Sequence, residues 1–390
     1  MGDILSGMPA SAEPPWIWPR AAYVHVPFCA HHCGYCDFAV VAGQEDRIDE
    51  YLSALNCELS TLATATPVRT LFLGGGTPTH LAPAQLERLL TTLIRWLPLQ
   101  GDSTEFSVEA NPDTLTSDKV TVLADHGVTR ISLGAQSFHA GLLHTLDRAH
   151  DPSQIPRAVE TARRRISRLS IDLIFGVPGQ TVADWQSDLR RALQLEPDHV
   201  STYGLTYEKG TPLWKRRQRG DLIALSEDSE LEMYATAIDT LEDAGFEHYE
   251  ISNFARPGMR CHHNETYWAN EAYFGFGVGA ARYVRGRREI NTRDLSAYIR
   301  KALAGESCTF QSEELDGVER AKETLAVQLR RCEGIDREAF RRQTGSDLDA
   351  VAGVHLPLLV ADNLIADNGR LVRLTRRGKY VADAIIERLL

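Results

Sequence analysis

The stretch YVHVPFCAHHCGYCDF, Tyr23 to Phe38, places cysteines at positions 29, 33 and 36 directly behind a short run of strand character. Seven cysteines occur in the 390 residues, and the other four, Cys57, Cys261, Cys308 and Cys332, are scattered. An odd count with one tight cluster argues against a disulfide framework and for a reducing compartment, the cytoplasm. Three thiolates this close in sequence can hold one metal centre between them. A structural zinc asks for four protein ligands, and His31 or His32 would complete such a set. A [4Fe–4S] cluster asks for one ligand per iron, so three cysteines leave one iron open to a small chelating ligand. The run ends in Asp37 and Phe38, with no fourth cysteine.

The residues before the first cysteine, AAYVHV (21–26), begin a series of short apolar or alternating runs. RTLFLGG (69–75), EFSVEA (105–110), TRISLGA (129–135), LSIDLIFG (169–176) and HVSTYGL (199–205) continue it. Most end in turn-forming residues, as strands do. Segments of helical period lie between them, at 45–63, 82–96, 116–126, 152–165 and 181–194; in the last, Trp185, Leu189 and Ala192 share one face. Strands alternating with helices predict right-handed βαβ units and a parallel sheet. Periodicity by itself leaves open whether the six units make an open, partial (β/α) barrel or a doubly wound sheet. A helix is expected at 227–244 and a seventh strand at HYEISNFA (248–255), followed by a glycine-rich stretch, YFGFGVGAARYV (273–284). From about residue 314 the texture turns helical and charged. There the Asn368-Gly369 pair predicts a hairpin before a final helix, the pattern of a small winged-helix-like domain. The divisions that follow are a flexible lead-in at 1–19, a core barrel at 20–250, a connecting region at 251–310 and the C-terminal domain at 311–390.

Lys+Arg number 42 against Asp+Glu 53, a net charge of −11, and 43% of the residues are hydrophobic. Such a chain is long enough for a large core and a smaller second domain. Its acidic balance argues against a nucleic-acid binder. The C-terminal domain has one tight basic cluster, Arg376, Arg377 and Lys379, too few cations for the phosphates that a DNA-binding wing meets. No run of about 18 apolar residues is present to cross a bilayer. The first twenty residues lack the basic and apolar regions of a secretory signal.

C-x3-C-x2-C, with the aromatic Tyr35 just before the last cysteine, resembles the signature of the radical S-adenosylmethionine (SAM) proteins. The resemblance implies that Cys29, Cys33 and Cys36 hold a [4Fe–4S] cluster whose open iron binds the amino and carboxylate groups of SAM. It implies that an electron from the cluster can cleave the sulfonium bond to give a deoxyadenosyl radical. It also implies an α/β fold: a radical SAM partial (β/α)6 TIM-like barrel with its catalytic loops at the C-terminal ends of the strands. The smaller C-terminal helical, winged-helix-like domain extends that barrel.

Other motifs point the same way. The glycines of FLGGGTPTHL (72–81), directly after the second strand, let the backbone pass close to a ligand. Glu109 in SVEANP, Gln136 in LGAQSF, Arg148 in LDRAH and Asp172 in SIDLIFGVPGQT lie in or after later strands. Together they offer acceptors, a cation and an amide to a ligand with ammonium, carboxylate, ribose hydroxyls and adenine. GGGTP, EANP, GAQSF and IDLIFGVPGQT resemble the coproporphyrinogen-dehydrogenase branch of the radical SAM family. That resemblance implies SAM-site positions at Tyr23, Tyr35, Gly75, Gly76, Thr77, Glu109, Gln136, Arg148 and Asp172.

CHHNETYWANEAYFGFGVGA (261–280) joins His263, which can ligate iron, to the flat faces of Tyr267 and Trp268, a combination that suits haem. His262 and Cys261 are alternative ligands that the sequence does not separate from it. HNxxYW resembles a motif of the haem chaperones called HemW, a branch of the same family. The dehydrogenases typically extend the cysteine motif to C-x3-C-x2-C-x-C and carry a longer arm before the first strand. Here Phe38 takes the fourth position, as in the chaperones, and the lead-in is short. Both departures favour a protein that binds haem and delivers it to haem-dependent targets over one that decarboxylates coproporphyrinogen III to protoporphyrinogen. A zinc-containing DNA-binding protein is the third class. The chaperone resemblance implies haem, haem-accepting proteins such as respiratory enzymes and a low-potential electron donor as partners, and no nucleic acid. Peripheral contact with membrane proteins and a homodimer are compatible with it, and the C-terminal domain is expected to act as a lid or docking surface.

Overall fold

The computed structural model describes residues 13–390, and the part of the expected lead-in before residue 13 lies outside the described residues. Six strands, β1 (Ala21–Val26), β2 (Thr70–Gly75), β3 (Glu105–Ala110), β4 (Arg130–Gln136), β5 (Arg168–Phe175) and β6 (His199–Gly204), run parallel and are hydrogen-bonded in chain order. A doubly wound sheet reverses its strand order at a switch point. This one never does, so the structure decides for the open, partial barrel. Helices α1 (Ile48–Leu59), α2 (Pro83–Trp96), α3 (Ser117–Asp125), α4 (Gln154–Arg163), α5 (Val182–Gln194) and α6 (Glu227–Asp243) form the outer layer.

Alternation along the strands makes the sheet two-faced. Val24, Leu71, Leu73, Val108, Ile131, Leu133, Ile171 and Val200 are fully buried in the core shared with the helices. The inner side is instead aromatic and polar: Tyr23 stacks on Phe72, and the Ser132 and Ser201 hydroxyls donate to Asp172. The helices are fixed by local chemistry as well as burial. At the start of α5 the Thr181 hydroxyl accepts from the Asp184 N–H at 3.1 Å, and the Asp184 carboxylate accepts from the Thr181 N–H at 2.9 Å. Its apolar face, Trp185, Leu189 and Ala192, is completely buried, and Leu189 alone contributes about 2 kcal/mol of transfer free energy.

Two expectations need correcting, the seventh strand and the flexible lead-in. HYEISNFA is not one strand but a hairpin, β7 (Glu247–Glu250) and β8 (Asn253–Ala255), and β8 runs antiparallel to β6. The buried Glu250 carboxylate accepts from the Ser252 N–H and the Asn253 amide, which folds the chain back within the run. On the opposite edge the glycine-rich stretch supplies β9 (Phe274–Phe276), parallel to β1. A side chain at Gly275 would overlap the Ala281 carbonyl, so glycine here permits close backbone packing. The lead-in is folded over its described part: Trp18 is 8% exposed, edge-on to Phe274, and the Ala272 N–H donates to the Pro15 carbonyl.

The region after β9 is structured too. Strands Ala281–Val284, Arg287–Asn291 and Thr309–Glu314 form a second sheet, and helix Leu295–Leu303 packs on α1. Buried Glu58 of α1 ties this layer down by accepting from Tyr298, Asn291 and the Gly277 N–H. The C-terminal domain has its own core, including Leu325, Phe340, Leu356, Ile365, Val372 and Ile385. Its small sheet contains the hairpin Ile365–Asp367 and Leu371–Leu374. Asn368 Oδ1 accepts from the Arg370 and Leu371 N–H groups in the turn, and Gly369 takes φ 84°. The domain docks on the barrel through Arg376 to Asp239 and Lys379 to His248.

Candidate functional site

The first cysteine ends the chain's run out of β1, so all three lie at the C-terminal end of the barrel. The loop is pinned by backbone bonds: the Gly34 N–H donates to Leu146, and the Leu213 N–H donates to Gly34. Tyr35 packs into the small apolar cluster that contains Leu146 and Leu213. Cys29 Sγ lies 3.5 Å from Thr77 Oγ1, and Arg148 Nη1 donates to Cys33 Sγ at 3.5 Å. Burial pushes the Cys29 thiol up to about 12 and the Cys36 thiol up to about 11. Those thiols stay protonated at neutral pH until a metal centre takes them.

The expected ligand-binding residues meet around this loop. Gly76 and Thr77 donate their N–H groups to Val26 and Phe28, and the Gly75 N–H donates to Glu109 Oε2 at 2.9 Å. Gly75 has φ +106°, and a side chain there would overlap the His25 ring. Arg148 Nη2 donates to the Gly134 carbonyl at 2.8 Å and to Asn111 Oδ1 at 2.7 Å, and the Asn111 amide donates to Thr77 at 3.0 Å. Tyr23 lies deeper, its hydroxyl 3.0 Å from His25 Nδ1. Asp172 also lies deeper and is occupied by the hydroxyls of Ser132, Ser170 and Ser201.

Several polar atoms on these strands and loops have no protein partner. Glu109 engages Gly75 through one oxygen only, and burial raises its pKa to about 7. Arg148 Nε and Ser107 Oγ are buried without hydrogen bonds. Gln136 sits in the left-handed region, φ 62°, uncommon for a residue with a side chain, where β4 ends beside Arg148. A spare carboxylate oxygen on Glu109 and a spare N–H on Arg148, beside the thiol loop, fit an amino-acid-bearing ligand next to a cluster. A structural zinc would need a fourth protein ligand beside the three cysteines. His32 is turned to the Cys36 carbonyl at 3.1 Å.

The HNETYW run lies at the other end of the barrel, beneath the strand starts, as the short helix α7 (His262–Trp268). Glu105, the first residue of β3 and 0% exposed, accepts from the His262 and His263 N–H groups, the Cys261 thiol and Arg130. Burial alone would raise the Glu105 pKa, but Arg130 and the donated hydrogen bonds hold it below the ordinary value. Arg130 also donates to the Met259 and Arg260 carbonyls. This buried network fastens α7 to the barrel floor.

The same network encloses His263, the expected haem contact. His263 is 1% exposed, with Nδ1 2.9 Å from Thr70 Oγ1 and Nε2 2.9 Å from the Tyr267 hydroxyl. Its ring stacks on Phe72, and burial lowers its pKa to about 4. A neutral ring with both nitrogens engaged has none to offer iron in this arrangement. Cys261 is buried against Glu105 and equally committed. His262 differs: it is half-buried, its Nδ1 pairs with Glu265 at 2.9 Å, and it lines a cavity of about 480 Å³ together with Thr266 and Trp268. Arg20, Arg69 and Arg331 complete much of the wall. The residues that sequence reasoning missed are Asn111, inside EANP, and Glu105 and Arg130, which have no local signal because their partners are distant in the chain.

Residues 23–192 match the family model of the Radical SAM superfamily, and residues 315–381 match that of the HemN C-terminal domain. The chain is 38% identical to the heme chaperone HemW of Bacillus subtilis (strain 168), over 94% of this chain and 98% of that one. It is 36% identical to the heme chaperone HemW of Lactococcus lactis subsp. lactis (strain IL1403), over 95% and 97%. Among solved structures it resembles the coproporphyrinogen III oxidase HemN from Escherichia coli, with a TM-score of 0.83 at 24% identity, covering 97% of this chain and 92% of that one. That likeness is one of fold.

Proposed function

The chain belongs to the HemW group of radical SAM proteins, and from that premise we propose that it is a haem chaperone, binding haem and passing it to haem-dependent proteins. The observation that carries this reading is the cavity beside His262 and Trp268, set at the far end of the barrel from the thiols. A six-residue strand separates the two ends, roughly 20 Å. In an enzyme acting on a porphyrin by radical chemistry, the substrate must lie against the cofactor instead.

In this reading Cys29, Cys33 and Cys36 hold a [4Fe–4S] cluster, and the fourth iron takes SAM. The chemistry that pair supplies when bound is one-electron cleavage of the sulfonium bond. The chain's own part is to bind and orient. Glu109 Oε1 and the backbone of Gly75 and Gly76 receive the ammonium end, Arg148 neutralises the loop beside Cys33, and Thr77 and Gln136 complete the rim. Tyr23, Tyr35 and Asp172 support these groups from behind. Phe38, 63% exposed, stands on the surface where the dehydrogenases have a further cysteine. The iron contact falls to His262, with His263 holding Tyr267 and the helix in place. Haem-accepting proteins such as respiratory enzymes, a low-potential electron donor and a cytoplasmic setting complete the proposal. No described helix is long and apolar enough to cross a membrane.

The test is anaerobic reconstitution with iron and sulfide, followed by haem titration and by incubation with SAM, reductant and coproporphyrinogen III. The expected result is stoichiometric haem binding with no protoporphyrinogen, and a His262→Ala variant that keeps its cluster but binds haem at least tenfold more weakly. Catalytic formation of protoporphyrinogen would sink the chaperone reading in favour of the dehydrogenase. Colourless protein with one zinc and salt-sensitive DNA binding would favour the third class.

A further inference from the structure

Three arginines converge on the cavity beneath the barrel, from two domains. Arg20 and Arg69 immediately precede β1 and β2, and the Arg69 N–H donates to the Arg20 carbonyl at 2.7 Å, so their stems leave the backbone side by side. Neither guanidinium meets a hydrogen-bond or ion-pair partner among the described residues. Arg331 enters from the C-terminal domain. Its Nη1 is 3.5 Å from Glu333 and its Nη2 donates to the Gly334 carbonyl at 3.1 Å, while its Nε is buried without a partner.

The wall carries four arginines, Arg20, Arg69, Arg260 and Arg331, and four glutamates, Glu250, Glu265, Glu271 and Glu333, but three of the glutamates have partners other than Arg20 and Arg69. Glu265 and Glu333 both engage Arg260 at 3.5 Å. Glu250 accepts from Ser252 and Asn253. That leaves Glu271 as the uncommitted carboxylate facing Arg20, Arg69 and Arg331. Arg20 is half-buried and Arg69 exposed, and with only Glu271 facing them both guanidinium groups keep donors free for a further anion. Planar guanidinium forks match carboxylates in paired hydrogen bonds. Trp268 adds a flat apolar face to the cavity, backed by Arg330 at 5.8 Å from its ring centre.

We infer that Arg20, Arg69 and Arg331 form a clamp for the carboxylates of a flat ligand. On the haem reading above, on which this rests, those carboxylates are the two propionates. The C-terminal domain is then part of the haem site through Arg331, and charge holds the porphyrin edge independently of iron ligation.

The full-length, anaerobically reconstituted protein is titrated with haem, with metal-free protoporphyrin IX and with haem dimethyl ester, in which both carboxylates are masked. The ester is expected to bind about tenfold or more weakly than haem, and protoporphyrin to be retained. Arg20→Gln, Arg69→Gln and Arg331→Gln are each expected to weaken haem and protoporphyrin about tenfold while leaving the ester unchanged. Arg342→Gln, on the exposed face of its helix, should change none of these. Arg69 has no partner to lose, so Arg69→Gln reads the clamp even if Arg331→Gln folds poorly. Equal haem affinity in the wild type and in the Arg20 and Arg69 variants, or an ester that binds as tightly as haem, overturns the clamp and leaves the haem reading standing. Wild-type protein that binds no haem removes that reading and the clamp with it.

Discussion

His262 and His263 are adjacent in sequence and opposite in circumstance. One borders a cavity with a nitrogen to spare; the other is sealed between Thr70, Tyr267 and Phe72. Burial depresses the His263 pKa to about 4, below the ordinary 6.5. The unfolded chain therefore takes up a proton that the folded one refuses, and this group's contribution to stability is lost as the pH falls from 6.5 towards 4. Replacing it with glutamine, which can still hydrogen-bond but cannot charge, should remove that loss. The expected difference between His263→Gln and the wild type in urea unfolding changes by about 1 kcal/mol per pH unit across that window. A difference that does not vary between pH 7 and pH 4.5 would mean the ring is not buried and neutral. Gly75 is the counterpart at the other end of the barrel: a residue whose φ of +106° and contact with His25 leave no room for a side chain, which is how a backbone N–H reaches Glu109.

Helix α7 is too short to be stable by itself. It exists because Glu105 collects its first N–H groups and because Arg130 neutralises Glu105 and gathers the two carbonyls before it. Truncating the carboxylate would strand a guanidinium that is 1% exposed. Glu105→Ala should destabilise the protein by about 3–5 kcal/mol and should release α7 first, read as faster hydrogen exchange over 262–268. A loss under about 1 kcal/mol would show that the pair behaves as a surface ion pair does. HYEISNFA carries the complementary lesson: alternating residues made it look like a strand, but side chains within it cap a turn.

For the molecule as a whole, the two candidate sites lie at opposite ends of one barrel, and the C-terminal domain belongs to the lower one. Gln343 donates to the Ala269 and Asn270 carbonyls, Gln328 donates to Ala269, and Asn270 donates to Thr324, so the domain grips the end of α7. Gln343→Ala should cost about 1–2 kcal/mol, raise hydrogen exchange over 262–270 and leave iron and sulfide content unchanged. Unaltered exchange there would mean the domain is only a neighbour of the helix.

The barrel's strands and helices, the cysteine loop and the glycine turn were legible because each is written in a few consecutive residues: alternation, helical period, spacing of thiols. Local sequence dictates local backbone, and a ligand loop of eight residues or so is local. Periodicity left the winding open, and the resemblance carried by the cysteine motif supplied the partial barrel; β9, the partners of Glu105 and the cavity between barrel and C-terminal domain were not legible. Each depends on residues 25 to more than 200 positions apart meeting in space. Which of two neighbouring histidines is sealed and which is open follows from burial, and burial is a property of the packed chain.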